Sequence, residues 1–208
     1  MKSLPSNPFF FLFGAFFCVA LVVSNLLECK PIQIGSLLLT GGFTLFPITC
    51  LLNDAITELW GYKNSRVVIF SAVVFNMIMV LFYNIVVHIP SPTFWEEGEK
   101  FNFVFLLSSR ITFASFVAFL CGALLDAYIM DRLRKKMPHR SFGLRAICST
   151  LMGQTLDSLI FFPIAFGRIY EMKDLVQIMT IQIFLKTGYE VLLIPLCSPL
   201  LKKIKEKK

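Results

Sequence analysis

The chain has 208 residues, 56% of them hydrophobic and 16% charged, with 23 Phe and a formal net charge of +7. An ordinary soluble domain carries about a quarter charged residues, so this composition excludes one and points to an integral membrane protein. The basic residues lie between the hydrophobic runs, as topology signals do, rather than on a phosphate-reading face, so no nucleic-acid partner is expected.

Six apolar runs, near residues 8–27, 43–60, 67–88, 103–130, 146–166 and 175–200, are long enough to cross about 30 Å of hydrocarbon as helices. The fold expected is an all-α bundle of six transmembrane helices, with residues 1–208 as a single domain. The first run follows Lys2 and could imitate a secretory signal, but it has spanning length and no Ala-x-Ala-like site after it, so it is counted as the first span. Residues 31–42 are too short and too Gly-interrupted for a helix, and read as an extended or hairpin-like link between helices 1 and 2. The loop at 90–99 is acidic and exposed, with Trp95 at the interface; the basic loop at 131–145 reads as a cytoplasmic anchor that touches anionic lipid. With the N-terminus inside, 14 Lys and Arg fall on that side and 4 on the other, so both termini are predicted to be cytoplasmic.

Polar residues inside these spans need a reason, because an ionised group in the bilayer costs several kcal/mol. The first span carries Asn25; the second Asn53, Asp54, Thr57 and Glu58; the third Asn76 and Asn84; the fourth Arg110 and Asp126; the fifth Gln154, Asp157 and Ser158; the sixth Gln182, Lys186 and Glu190. Asp54 and Glu58 are four apart and share a helical face, as do Lys186 and Glu190, which can pair. Asp126, near Asp131 and Arg132, reads equally well as reaching cytoplasmic water. Asn76 and Asn84 read as interhelical hydrogen bonders. Ion pairs of Asp54, Glu58 and Asp157 with Arg110 and Lys186 would be the structural explanation, but buried pairs stabilise poorly, so a polar site within the bundle is the stronger reading. Pro47, Pro163 and Pro195 stand near the polar turns, where kinks free backbone groups to line a cavity. The second span's Asp54 and Glu58 find a counterpart in the fifth span's Gln154 and Asp157, which suggests two inverted three-helix halves around a midplane site.

Hydrolase, zinc-protease and nucleotide-binding signatures are missing, and the six Cys are scattered, with no Cys-x-x-Cys and no His at ligand spacing. No catalytic residue, cofactor or metal site is therefore expected, and transport fits better than hydrolysis.

Taken in order, Ser24-Asn25, Lys30, Pro47-Ile-Thr49, Asn53-Asp54-Ala-Ile-Thr-Glu58-Leu-Trp-Gly61, Ser109-Arg110-Ile, Leu125-Asp126, Gly153-Gln154-Thr-Leu-Asp157-Ser158-Leu-Ile-Phe161, and Lys186 with Glu190 and Pro195 resemble the queuosine-precursor transporter family over nearly the whole chain. Trp60 stands where that family usually carries tyrosine, which keeps an aromatic surface. The resemblance implies a bacterial inner-membrane importer of deazaguanine bases, such as preQ0, preQ1 or queuine, for tRNA modification. A guanine-like face offers an N1 hydrogen and an exocyclic amino group, which a carboxylate of Asp54, Glu58 or Asp157 can accept together. Its carbonyl needs a donor, available from Asn25, Asn53, Gln154 or Lys186. Trp60 and Phe161 are the aromatic rings nearest the polar turns for stacking, Arg110 supports the pocket, and the sixth span brings Lys186 and Glu190 to its wall. The expected partners are thus a small-molecule base and the lipid bilayer. Two other classes stay open on sequence: a substrate-binding membrane subunit that needs a separate ATPase, and an intramembrane lipid enzyme using Asp54 and Glu58 as metal ligands.

Overall fold

The computed structural model describes residues 7–27, 30–34, 37–92, 94–106, 109–138, 141–166 and 172–206, which form seven α-helices, a 3-10 turn and a two-stranded hairpin. Helix α1, Pro8–Leu27, starts with proline at its first position, and the Asn7 side chain accepts from the Phe9 backbone N–H at 2.9 Å. Its buried residues, Phe10, Phe17, Leu21 and Ser24, recur at helical spacing, while Phe11, Leu12, Phe16 and Val19 face outward.

The predicted extended link is an antiparallel hairpin, β1 Pro31–Ile34 and β2 Leu37–Thr40, with Ile32 opposite Leu39. Gly41 follows it, at a point where a Cβ would stand 2.5 Å from the Leu27 carbonyl oxygen, so only glycine lets the chain return so close to α1. Ser24 Oγ then donates to the Gly42 carbonyl at 3.1 Å.

Helix α2, Phe46–Trp60, has Pro47 in its first turn and is buried along nearly its whole length. It packs against α1, α3 (Tyr62–Val87), α5 (Ser109–Lys136), α6 (Phe142–Phe166) and α7 (Met172–Glu206), so its charged residues are enclosed by protein and not by lipid. Gly61, with φ of 82°, makes the elbow into α3. On α3, Ser65, Val68, Ile69, Ala72, Val73 and Asn76 are buried in an i, i+3, i+4 pattern, opposite an exposed face of Val67, Phe70, Val74 and Phe75.

Within the run predicted as one span over 103–130, the described helices are α4, Gly98–Leu106, and α5, Ser109–Lys136, and residues 107–108 between them lie outside the described residues. The basic segment over 131–145 is not a loop throughout, since α5 continues to Lys136 and α6 starts at Phe142. Helices α5 and α6 pack most extensively, touching through Gly122 and Gly153, where a Cβ on either would meet the other's carbonyl oxygen at 2.9 Å.

Among the described residues, four helical segments, Pro8–Leu27, Tyr62–Val87, Ala114–Lys136 and Phe142–Ile164, are long and apolar enough to cross a membrane. The 15-residue α2 is shorter than that measure requires, and the 35-residue α7, which mixes Asp174, Lys186 and Glu190 into its sequence, has its side chains only in part among the described residues. The architecture is that of an all-α multi-pass membrane protein. The start of α1, the α2–α3 elbow, the end of α5 and the start of α6 lie together, as the contacts of Trp60 with Phe10, Tyr62 with Tyr128, and Glu58 with Arg145 show. Arg132, Arg134, Lys135 and Arg145 therefore collect at one end of the bundle.

Candidate functional site

A cavity of about 20 Å³ lies between α1, α2, α5 and α6. Its polar lining is Thr49, Asn53, Asp126, Thr150, Gln154 and Asp157, and its apolar lining includes the rings of Phe17, Phe46 and Phe119. This is room for about one water, far below the hundreds of Å³ that ligand pockets hold. The bundle is therefore narrow at its polar centre.

Each wall has a local cause. Asn53, facing two neighbouring helices, donates from Nδ2 to Asp126 Oδ2 at 2.6 Å and to the Ala123 carbonyl at 3.2 Å, while its Oδ1 accepts from Ser65 Oγ at 2.8 Å. One amide thereby joins α2 to α3 and α5. Asp126 is buried, not extended to cytoplasmic water. Gln154 donates from Nε2 to Cys50 Sγ at 3.1 Å, and its Oε1 has no hydrogen-bond partner among the described residues. The Gly122–Gly153 contact brings Asp126 and Asp157 to the cavity, since it lets the α5 and α6 backbones approach closely at the turns that carry them.

Two predicted acids sit behind this wall. Asp54 accepts from Ser149 Oγ at 2.9 Å and lies 3.5 Å from Thr150 Oγ1, which donates to Glu190 Oε1 at 3.0 Å. The predicted Lys186–Glu190 pairing does not form: the threonine takes the carboxylate, and Lys186 places its ammonium 4.2 Å from the Phe46 ring centre.

Glu58, predicted to face the ligand with Asp54, pairs instead with Arg145 at 2.7 Å, both side chains under 5% exposed. Arg145 belongs to the segment read as a solvated anchor, and it answers Glu58 where Lys186, one of the expected partners, lies on Phe46 instead. Arg134 donates to the Glu58 carbonyl at 2.9 Å, and Asp131 receives both Arg134 and Lys135. Trp60 packs edge-on against Phe10 and Phe13 at 5.3 and 5.9 Å, away from the cavity. Phe161 packs on Phe162 at 5.3 Å and does not border it either. Asn25 is half-buried on α1, also outside the lining, and the Arg110 side chain lies outside the described residues. The structure thus brings Asn53, Gln154 and Asp157 to the cavity and adds Asp126, Thr150 and Cys50, with Phe46 and Phe119 as the nearest rings. Among the described residues no three His, Cys, Asp or Glu side chains are placed to hold a metal ion.

The family model described as "Putative vitamin uptake transporter" matches residues 40–199. The chain is 29% identical over 158 residues to the "Queuosine precursor transporter" of Escherichia coli (strain K12), covering 76% of this chain and 69% of that protein. It is 30% identical over 127 residues to the "Probable queuosine precursor transporter" of Haemophilus influenzae (strain ATCC 51907 / DSM 11121 / KW20 / Rd), covering 61% of this chain and 52% of that one. No solved structure matches. The family match takes in α2, α5, α6 and most of α7, the helices that build the polar centre, and the chain belongs to the vitamin uptake transporter family.

Proposed function

We propose that this protein imports queuosine precursors, deazaguanine bases such as preQ0, preQ1 or queuine, across the bacterial inner membrane for tRNA modification. The observation that carries this reading is a narrow cavity within an apolar bundle, bordered by carboxylates, amides and aromatic rings together. A carboxylate of Asp157 or Asp126 accepts from the base's N1 hydrogen and amino group. Gln154, whose donor is spent only on a thiol sulfur, turns to the base carbonyl. Phe46 and Phe119 supply the flat apolar faces.

A two-ring base cannot enter 20 Å³, so transport requires α2 and its neighbours to part from the tightly joined α5–α6 pair. In the full reading, α2 and α7 join the four apolar segments as six spans in two inverted halves. The end that gathers Arg132, Arg134, Lys135 and Arg145 faces the cytoplasm with both termini. Glu58 then fixes that end instead of holding the base.

The test is uptake of labelled preQ1 by bacteria that lack their own importer and express this chain. Gln154→Ala and Asp157→Ala each lower the initial rate at least tenfold at equal membrane levels, as the loss of a buried charge-assisted or amide hydrogen bond of about 1.5–3 kcal/mol requires. Uptake retained by both variants would remove these residues from the site, and no uptake by the parent chain would remove the function.

A further inference from the structure

The acids behind the cavity wall are short of hydrogen-bond donors. Asp54, Asp126 and Glu190 are buried on α2, α5 and α7, and Asp54 lies within interaction distance of both other carboxyls. The donors that reach them are the Ser149 and Thr150 hydroxyls and the Asn53 amide. Ser149 also points at the Ala146 carbonyl, and the one hydrogen of Thr150 goes to Glu190. Asp126 Oδ1 and Glu190 Oε2 accept nothing among the described residues.

No cation answers this deficit there. From α7, Lys186 lies on the Phe46 ring; from α6, Arg145 is committed to Glu58, and Asp157 lines the same cavity; from α2, Cys50 and Asn53 are neutral. A second observation points into this space independently of the acids. Gln154, only 5% exposed, borders the cavity beside Asp126 with its Oε1 unpartnered, an acceptor waiting for a hydrogen. Buried acceptors are almost always satisfied, and no three acidic or thiol side chains among the described residues are arranged as metal ligands. The missing hydrogens are then protons, together with a water that the cavity has room for.

We propose that Asp126, Asp54 and Glu190 form a proton-binding relay that couples transport of the base to the proton gradient. This rests on the transport reading above and adds its energy source. A proton from external water adds to Asp126 when the cavity is open to that side, and passes to Asp54. Asp54 Oδ2–H then gives its proton to Thr150 Oγ1 as the Thr150 hydrogen moves to Glu190 Oε1, so that one proton advances and the hydroxyl is unchanged. Glu190 releases that proton to cytoplasmic water when the bundle opens to the other side, and all three acids return to their starting state. Asp126 borders the base and touches Asp54, which ties loading of the relay to occupancy of the cavity.

The test uses the purified full chain in proteoliposomes with labelled preQ0, an uncharged solute that cannot imitate a proton. Acid outside raises the uptake of the parent chain at least threefold over no gradient, and a protonophore removes the gain. Glu190→Gln and Asp54→Asn show no gain from the gradient whatever their absolute rate. Counterflow against unlabelled preQ0 needs no gradient and separates the outcomes: without counterflow by the parent chain the transport reading fails, while counterflow that ignores the gradient overturns the relay alone. Infrared spectroscopy of the purified protein keeps the proposal testable where a variant does not transport. The band of a protonated carboxylic acid at neutral pH weakens in Glu190→Gln or Asp54→Asn, and a band unchanged in both overturns it.

Discussion

The two acidic turns of α2 differ in what surrounds them. At its C-terminal end Glu58 meets Arg145, and nearby Asp131 meets Arg134 and Lys135, so every acid there has a cation. One turn earlier Asp54, with Asp126 and Glu190, has hydroxyl neighbours and no cation among the described residues. Matched charge joins helices: the Glu58–Arg145 pair and the Arg134 bond to the Glu58 carbonyl fasten α2 to α6 and α5. Unmatched charge, held in the same helix four residues away, is what the proposed proton relay and transport function use. The spacing is identical to that of a paired structural motif, and only the partners differ.

Breaking the matched region should have the largest effect on stability. Arg145→Ala leaves the Glu58 carboxylate buried without its partner, and is expected to cost about 3–5 kcal/mol; thermal unfolding in detergent would measure it. The double change Glu58→Gln with Arg145→Met should recover most of that loss, because both charges leave together. A single variant as stable as the parent would show that the pair does not hold this end closed.

Next comes the α5–α6 contact, which supports the unmatched region. Gly122→Ala brings a methyl to 2.9 Å from both the Gly153 carbonyl oxygen and the Asp157 Cβ. It is expected to cost about 1–3 kcal/mol through overpacking, and to lower uptake by moving Asp157. Unchanged unfolding temperature and uptake would mean that the helices separate here freely, and would assign the moving interface to this pair.

How far the sequence reveals this contrast follows from what is local in it. Asn53, Asp54, Gln154 and Asp157 were legible because polar groups in apolar runs stand out against their own neighbours. The extended link before α2 was equally plain from its glycines. The partner of Glu58 was not, since Arg145 lies 87 residues away and carries the same topology signal as the other basic residues around it. Asp126 shared its signal with Asp131 and Arg132, and only packing decides that it turns inward to Asn53. The helical spacing of Lys186 and Glu190 permits a pair, but a Thr150 hydroxyl from another helix competes for the carboxylate and wins. Trp60 and Phe161 are near the polar turns in sequence and point elsewhere, while Phe46 and Phe119 were hidden among 23 Phe.

The smallest effect belongs to the outer edge of the matched region, and it sharpens the comparison most. Lys135 also touches Asp131, but its side chain is 65% exposed, so water and salt screen the pair and the long side chain gives up entropy to hold it. Asp131 keeps Arg134 at 3.0 Å when Lys135 is lost, so no acid is left without a cation. Lys135→Ala is therefore expected to lower stability by at most about 1 kcal/mol, by an amount that shrinks further in high salt, and to leave uptake unchanged. A loss as large as that of Arg145→Ala would mean that the number of ion pairs, rather than their burial, fastens this end, and the distinction between the two turns of α2 would lose its physical basis.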